Sequence, residues 1–101
     1  MSLKAGVRTL GVRPEIVLAL MIAKDVYAGH GQAAAFVITS IIEGVHARAS
    51  IHYMGGAVDL RRPVIKTTEI VDDLAAKLGD DYDVVLENDH VHIEWQPKAP
   101  Y

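Results

Sequence analysis

Two short stretches hold most of the side chains capable of chemistry: Ser50-Ile51-His52-Tyr53-Met54-Gly55-Gly56-Ala57-Val58-Asp59 and, later, His90-Val91-His92. Four of the five histidines, His46, His52, His90 and His92, lie in these stretches or just before the first. Imidazole and carboxylate are what a zinc ion takes when no thiolate is offered, and the chain has no cysteine. In a strand, side chains at i and i+2 share a face, so His90 and His92 point the same way. Such a pair can furnish two ligands, or one ligand and one hydrogen-bond partner behind it. His52 and Asp59 flank Gly55-Gly56, a bend that lets both side chains reach one ion. Three protein ligands with an open fourth position is the arrangement of a catalytic zinc site. Plainer readings use the same residues: an HxH pair is an ordinary strand pattern, Asp59 can pair with Arg61 or Arg62 at the surface, and Ser50 can cap a turn.

These side chains need elements to position them. Pro14 in a first helical turn, a dense apolar run to Tyr27 and then Gly29 predict a helix, nearly apolar all round and therefore central and buried. Ala34 to Ile42, short and rich in aliphatic and β-branched residues, predicts a buried strand, and Glu43 to Ser50 a loop. Ala57 to Leu60 reads as a short strand ending at Arg61-Arg62-Pro63. Thr67 or Thr68 can cap a second helix with Ile70, Val71, Leu74, Ala75 and Leu78 at helical spacing and Gly79 as its stop. Tyr82 to Glu87 and His90 to Trp95 are strand candidates joined tightly through Asn88-Asp89. The whole predicts one α+β domain over residues 1–101, helices packed on a small, mainly antiparallel sheet, with 1–5 and 97–101 loosely held.

Composition narrows the function classes. The chain has 101 residues, enough for one domain with a real core, and half of them are hydrophobic. A net charge of -3 leaves no basic stripe to neutralise phosphates, which argues against nucleic acid as a partner. The apolar run Ile16 to Ala23 is too short to span a bilayer. No signal-peptide pattern is evident, which predicts a cytoplasmic protein, or one carried to the cell wall by another system in the manner of phage enzymes.

The run from Glu43 to Leu60 resembles the zinc signature SxHxxGxAxD of the D-alanyl-D-alanine carboxypeptidase family. That family includes vancomycin-resistance dipeptidases, phage L-alanyl-D-glutamate endolysins and, as a structural relative, the Hedgehog signalling domain. His90-Val91-His92-Ile93-Glu94-Trp95 is similar to the family's closing strand. The resemblance implies a Hedgehog/DD-peptidase-like fold and zinc held by His52, Asp59 and His92. It implies supporting roles for His46 and His90, at the metal or polarising substrate.

Peptide hydrolysis needs a group that takes a proton from the attacking water and returns it to the leaving amine. The bacterial peptidases resembled here carry that acid three residues before the last ligand, which is Asp89 in this chain; the Hedgehog relatives match Glu87 better. Strict strand alternation would place both on the face opposite His92, so a bend or bulge is expected there. The family's Ser-Gly-Tyr-Arg-Ser segment is replaced by Ser40-Ile41-Ile42-Glu43, without the arginine. Arg48 can stand in for it, holding a carboxylate through two parallel hydrogen bonds, with Ser50 beside it as a substrate contact. The resemblance implies a zinc metallopeptidase acting on peptidoglycan stem peptides, as a D,D- or L,D-carboxypeptidase or an L-Ala-D-Glu endopeptidase. The alternative is a Hedgehog-like binding module, stabilised by zinc and without catalysis.

Overall fold

The computed structural model describes residues 2–3, 14–43 and 56–96. The first helix, α1 (Pro14–Gly29), starts on a proline whose missing N–H costs nothing in a first turn. Ile16, Ala19, Leu20, Ala23, Val26 and Tyr27 form its buried stripe. The helix is not buried all round as expected: Val17, Leu18 and Met21 are 45%, 52% and 62% exposed. The reason is layering, since only one side of α1 meets the rest of the core.

Ala33–Ala35 form a single 3-10 turn, and the strand predicted from Ala34 begins instead as β2 at Val37–Glu43. Three successive alanines lack the branched side chains that favour a strand, whereas Val37 and Ile38 supply them. Glu43, expected to open a loop, is the last residue of β2. Between turn and strand, the Phe36 ring meets Tyr27 edge to face, with centroids 5.4 Å apart.

The later strands are β3 (Gly56–Arg61), β4 (Tyr82–Leu86) and β5 (His90–Trp95). Ser2–Leu3 form a short β1 parallel to β2, although the first residues were expected to be loosely held. The sheet order is β1-β2-β3-β5-β4, antiparallel throughout except for the β1–β2 pair. The second helix, α2 (Thr67–Leu78), ends at Gly79, whose positive φ of 84° with ψ -172° is a conformation that glycine alone adopts readily. Its start differs from expectation. Lys66, at φ 55°, occupies the cap position, and the Thr67 hydroxyl donates back to the Pro63 carbonyl at 3.4 Å.

α1 and α2 cover one face of the sheet, where Ile38, Val58, Leu60, Val91 and Ile93 pack against Ile70, Leu74 and the α1 stripe. His30, just past α1, reaches Asp73 at 3.2 Å and ties the end of α1 to α2, while Lys77 meets the same carboxylate at 3.5 Å from within α2. Tyr27, fully buried, donates its hydroxyl to the Arg61 carbonyl at 2.7 Å and so pins the end of β3 to α1. Burial pushes its phenol well above the ordinary tyrosine range. Tyr27→Phe is expected to lower stability by about 1–3 kcal/mol, read from the denaturant midpoint, because a shielded carbonyl loses its donor. An unchanged midpoint would remove this bond from the account of the fold.

Candidate metal centre

Because α1 and α2 take one face of the sheet, the period of two along each strand sends the alternate residues to the other. On β5, Val91 and Ile93 go to the core, while His90, His92 and Glu94 go to the free face. On β3, Val58 and Leu60 point inward and Asp59 outward. Register then decides what meets. Asp59 is the direct cross-strand partner of His92, and Arg61 that of His90. On the other side of β3, a bulge between Ile38 and Ser40 leaves Thr39 to donate its hydroxyl to the Asp59 carbonyl at 3.2 Å.

The side chains close up accordingly. His92 Nδ1 lies 2.7 Å from Asp59 Oδ1, and His92 Nε2 lies 3.1 Å from Glu94 Oε1. A carboxylate accepts, so the pair of contacts favours the form of the ring in which both nitrogens carry protons. Burial alone would lower the His92 pKa, but the hydrogen bonds and charges of Asp59 and Glu94 outweigh it and the net shift is upward. His90 Nδ1 lies 2.6 Å from Asp89 Oδ1, and its Nε2 lies 3.7 Å from Asp59 Oδ1. The Asp89 hydrogen bond is the main cause of a raised His90 pKa; desolvation opposes it, and the charges of Asp59, Asp89 and Glu87 add to the rise. Between 21% and 30% exposed, Asp59, His92 and His90 are shielded from bulk water yet open to a small ion.

Asp59, His90 and His92 form a group that could hold a metal ion, their donor atoms all lying within 4.8 Å of one another. Donors about 2.0–2.2 Å from a tetrahedral ion stand roughly 3.4 Å apart, so small side-chain rotations would suffice. The donor set, two imidazoles and one carboxylate, is chemically right for zinc and for other first-row divalent ions. With Nδ1 of His90 on Asp89 and Nε2 of His92 on Glu94, each ring keeps its other nitrogen aimed at Asp59. A carboxylate behind a ligating histidine is the usual way of fixing its tautomer and orientation.

Of the residues singled out in the sequence, Asp59, His92 and His90 come together, with donor atoms within 4.8 Å of one another. His46, Arg48, Ser50 and His52 lie outside the described residues. Glu87 requires a correction. Val85 pairs with His92, so Val85 shares its face, and Glu87, two residues on, continues along that face without any bulge. The alternation count failed because it ran straight through a hairpin, where the chain reverses. Glu87 N–H donates to the His90 carbonyl at 2.8 Å, which closes the turn. Asp89 lies in that turn, 89% exposed, and reaches the cluster through its bond to His90. Glu94 was not singled out, although its place two residues after His92 was a sufficient signal.

No described helix is long and apolar enough to cross a membrane. Comparisons with family models, with curated proteins and with solved structures return no match to this chain.

Proposed function

We propose that the chain is a zinc metallopeptidase with a Hedgehog/DD-peptidase-like fold that hydrolyses peptidoglycan stem peptides. The observation that carries this reading is the cross-strand meeting of Asp59 with His92, two of the three ligands implied by the SxHxxGxAxD resemblance, with His90 beside them. His52, or His90 in its place, completes a three-ligand set. When bound, zinc would supply a water with a pKa near ~7 and polarise the scissile carbonyl.

The remaining work falls to the chain's own groups. Asp89, three residues before His92 and in contact with His90, accepts a proton from the attacking water and passes it to the leaving amine. Glu87 stands on the same face near His90, whose pKa is raised chiefly by the Asp89 hydrogen bond, with Glu87 a minor contributor. A second reading, the zinc-stabilised binding module, draws on one observation: both nitrogens of His92 are already paired with carboxylates, of which Asp59 joins β3 to β5 without any reaction.

The two readings part on turnover. The zinc-loaded protein is expected to release product from muropeptides and to lose this activity on chelation. Asp89→Asn is expected to lower kcat by about 10²–10⁴-fold with zinc retained, the range for loss of a general base. The same loss from Glu87→Gln, with Asp89→Asn active, would transfer the role to Glu87. Zinc bound at one equivalent with no turnover on any muropeptide would favour the binding module.

A further inference from the structure

The free face of β5 carries a continuous polar row: His90, His92, Glu94 and, one residue past the strand, Gln96. Positions two apart share a face, so each can touch the next. Glu94 stands between two partners, with Oε1 3.1 Å from His92 Nε2 and Oε2 accepting from Gln96 Nε2. Its carboxylate is therefore held at both oxygens. Gln96 is held in turn, because its backbone N–H donates to the Asp81 carbonyl at 2.6 Å, one step beyond the Tyr82–Trp95 pair that ends the β4–β5 ladder. The row is anchored at its far end.

Strand pairing does not account for a carboxylate at this place. Directly opposite Glu94 stand Ala57 on β3 and Asp83 on β4, an apolar methyl and a like charge. Like charges at opposed positions weaken a sheet. What Glu94 does contact is the ring whose other nitrogen reaches Asp59. At 24% exposure each, Glu94 and His92 are sheltered enough for that bond to hold against water.

We infer that Glu94 is a positioning residue for the metal centre: held by Gln96, it orients the His92 ring and strengthens it as a ligand. The last side-chain torsion of a histidine is broad and roughly two-fold, and the single proton of the neutral ring can sit on either nitrogen. A carboxylate on Nε2 removes both freedoms, because it keeps the proton there and leaves the Nδ1 lone pair for an ion beside Asp59. The ring is ordered before the ion arrives, so binding does not bear that cost. This rests on the metal centre and not on turnover: zinc bound without hydrolysis leaves it standing while the peptidase reading falls.

Two measurements on the full chain test it: zinc affinity, from competition with a chelator at one fixed pH, and the state of the His92 ring nitrogens in the zinc-loaded protein, from two-bond proton–nitrogen correlation spectra. The wild type is expected to show Nε2 protonated, with its proton slow to exchange. Glu94→Ala is expected to lose about 10–100-fold in affinity, the range for a carboxylate behind a ligating histidine, and to lose the slow proton. Glu94→Gln, whose carbonyl still accepts from Nε2–H, should recover part of both. Gln96→Ala, which leaves the carboxylate in place but releases one oxygen, is expected to lower affinity by about 2–10-fold, the worth of one hydrogen bond. Asp83→Asn removes a charge from the same face and is expected to leave affinity nearly unchanged. A loss from Asp83→Asn equal to that from Glu94→Gln would show that net charge alone acts, and would overturn the positioning role. So would an unaltered affinity in folded Glu94→Ala, or a zinc-loaded wild type in which Nε2 is the ligating nitrogen. A wild type that binds no zinc overturns it along with the metal centre.

Discussion

Asp59→Ala is expected to abolish stoichiometric zinc binding, with an affinity loss well beyond the ~10–100-fold that removing a partner behind a ligand costs. Asp59 is the hub of the cluster. Its Oδ1 lies 2.7 Å from His92 Nδ1 and 3.7 Å from His90 Nε2, and it supplies the trio's only carboxylate. Without it, two imidazoles remain as ligands, and the nearest carboxylates, Asp89 and Glu94, stand behind those rings rather than among the donors. The fold should survive, because the residue faces away from the core. Titration against a chelator of known affinity measures the effect, and a full equivalent of zinc retained by the variant would sink the site. The same titration on His90→Ala and His52→Ala identifies the third ligand as the one whose loss releases the metal.

Zinc affinity is also expected to depend steeply on pH, and in the sense opposite to the cluster's effect on the metal-free fold. The His90 pKa is raised chiefly by its bond to Asp89, and that of His92 by Asp59 and Glu94 acting against burial, so both lie above the ordinary 6.5 when folded. In the metal-free protein their contribution to stability is complete below 6.5, where the unfolded chain is protonated too. It is lost as the pH rises through the raised folded values. Zinc must displace those protons, so its affinity is greatest above the raised values and falls below them, by up to about 100-fold per pH unit if both rings ligate. Melting curves with and without zinc across this range test the linkage. Zinc should raise the midpoint strongly on the alkaline side and little on the acid side. An affinity that does not change with pH would exclude both histidines as ligands.

Much of the scaffold was legible in the residues because patterning and propensity agreed. α2 ends at Gly79 and β5 begins at His90 as spacing predicts, and the pairing of His90 with His92 on one face follows from alternation alone. The failures occurred where local signals were weak or tertiary context decided. Ala33–Ala35 carry no β-branched residue, so the aliphatic run from Ala34 overstated the strand. The exposed stripe of Val17, Leu18 and Met21 could not be foreseen from an evenly apolar helix, since nothing in such a sequence marks which side meets the sheet. Threonine outranks lysine as a helix cap, yet Lys66 takes that place in a left-handed conformation after Pro63. In the centre, types and spacing pointed to Asp59 and His92, but their meeting at opposed positions depends on strand register, and so do the new positions found for Glu87, Glu94 and Arg61.

The register between β3 and β5 sets how the site responds to changes in chain length. A single-residue deletion at Val91 would turn every later β5 side chain over: His92 and Glu94 would face α1 and α2, while Ile93 would meet water. Site and core would fail in one event, with no intermediate grade of impairment. An insertion between Asn88 and Asp89 would displace Asp89 and leave the pairing of Asp59 with His92 intact. Along six residues of β5 the chain therefore tolerates exchange of side chains but not a change of count, and the turn beside it is where length can vary.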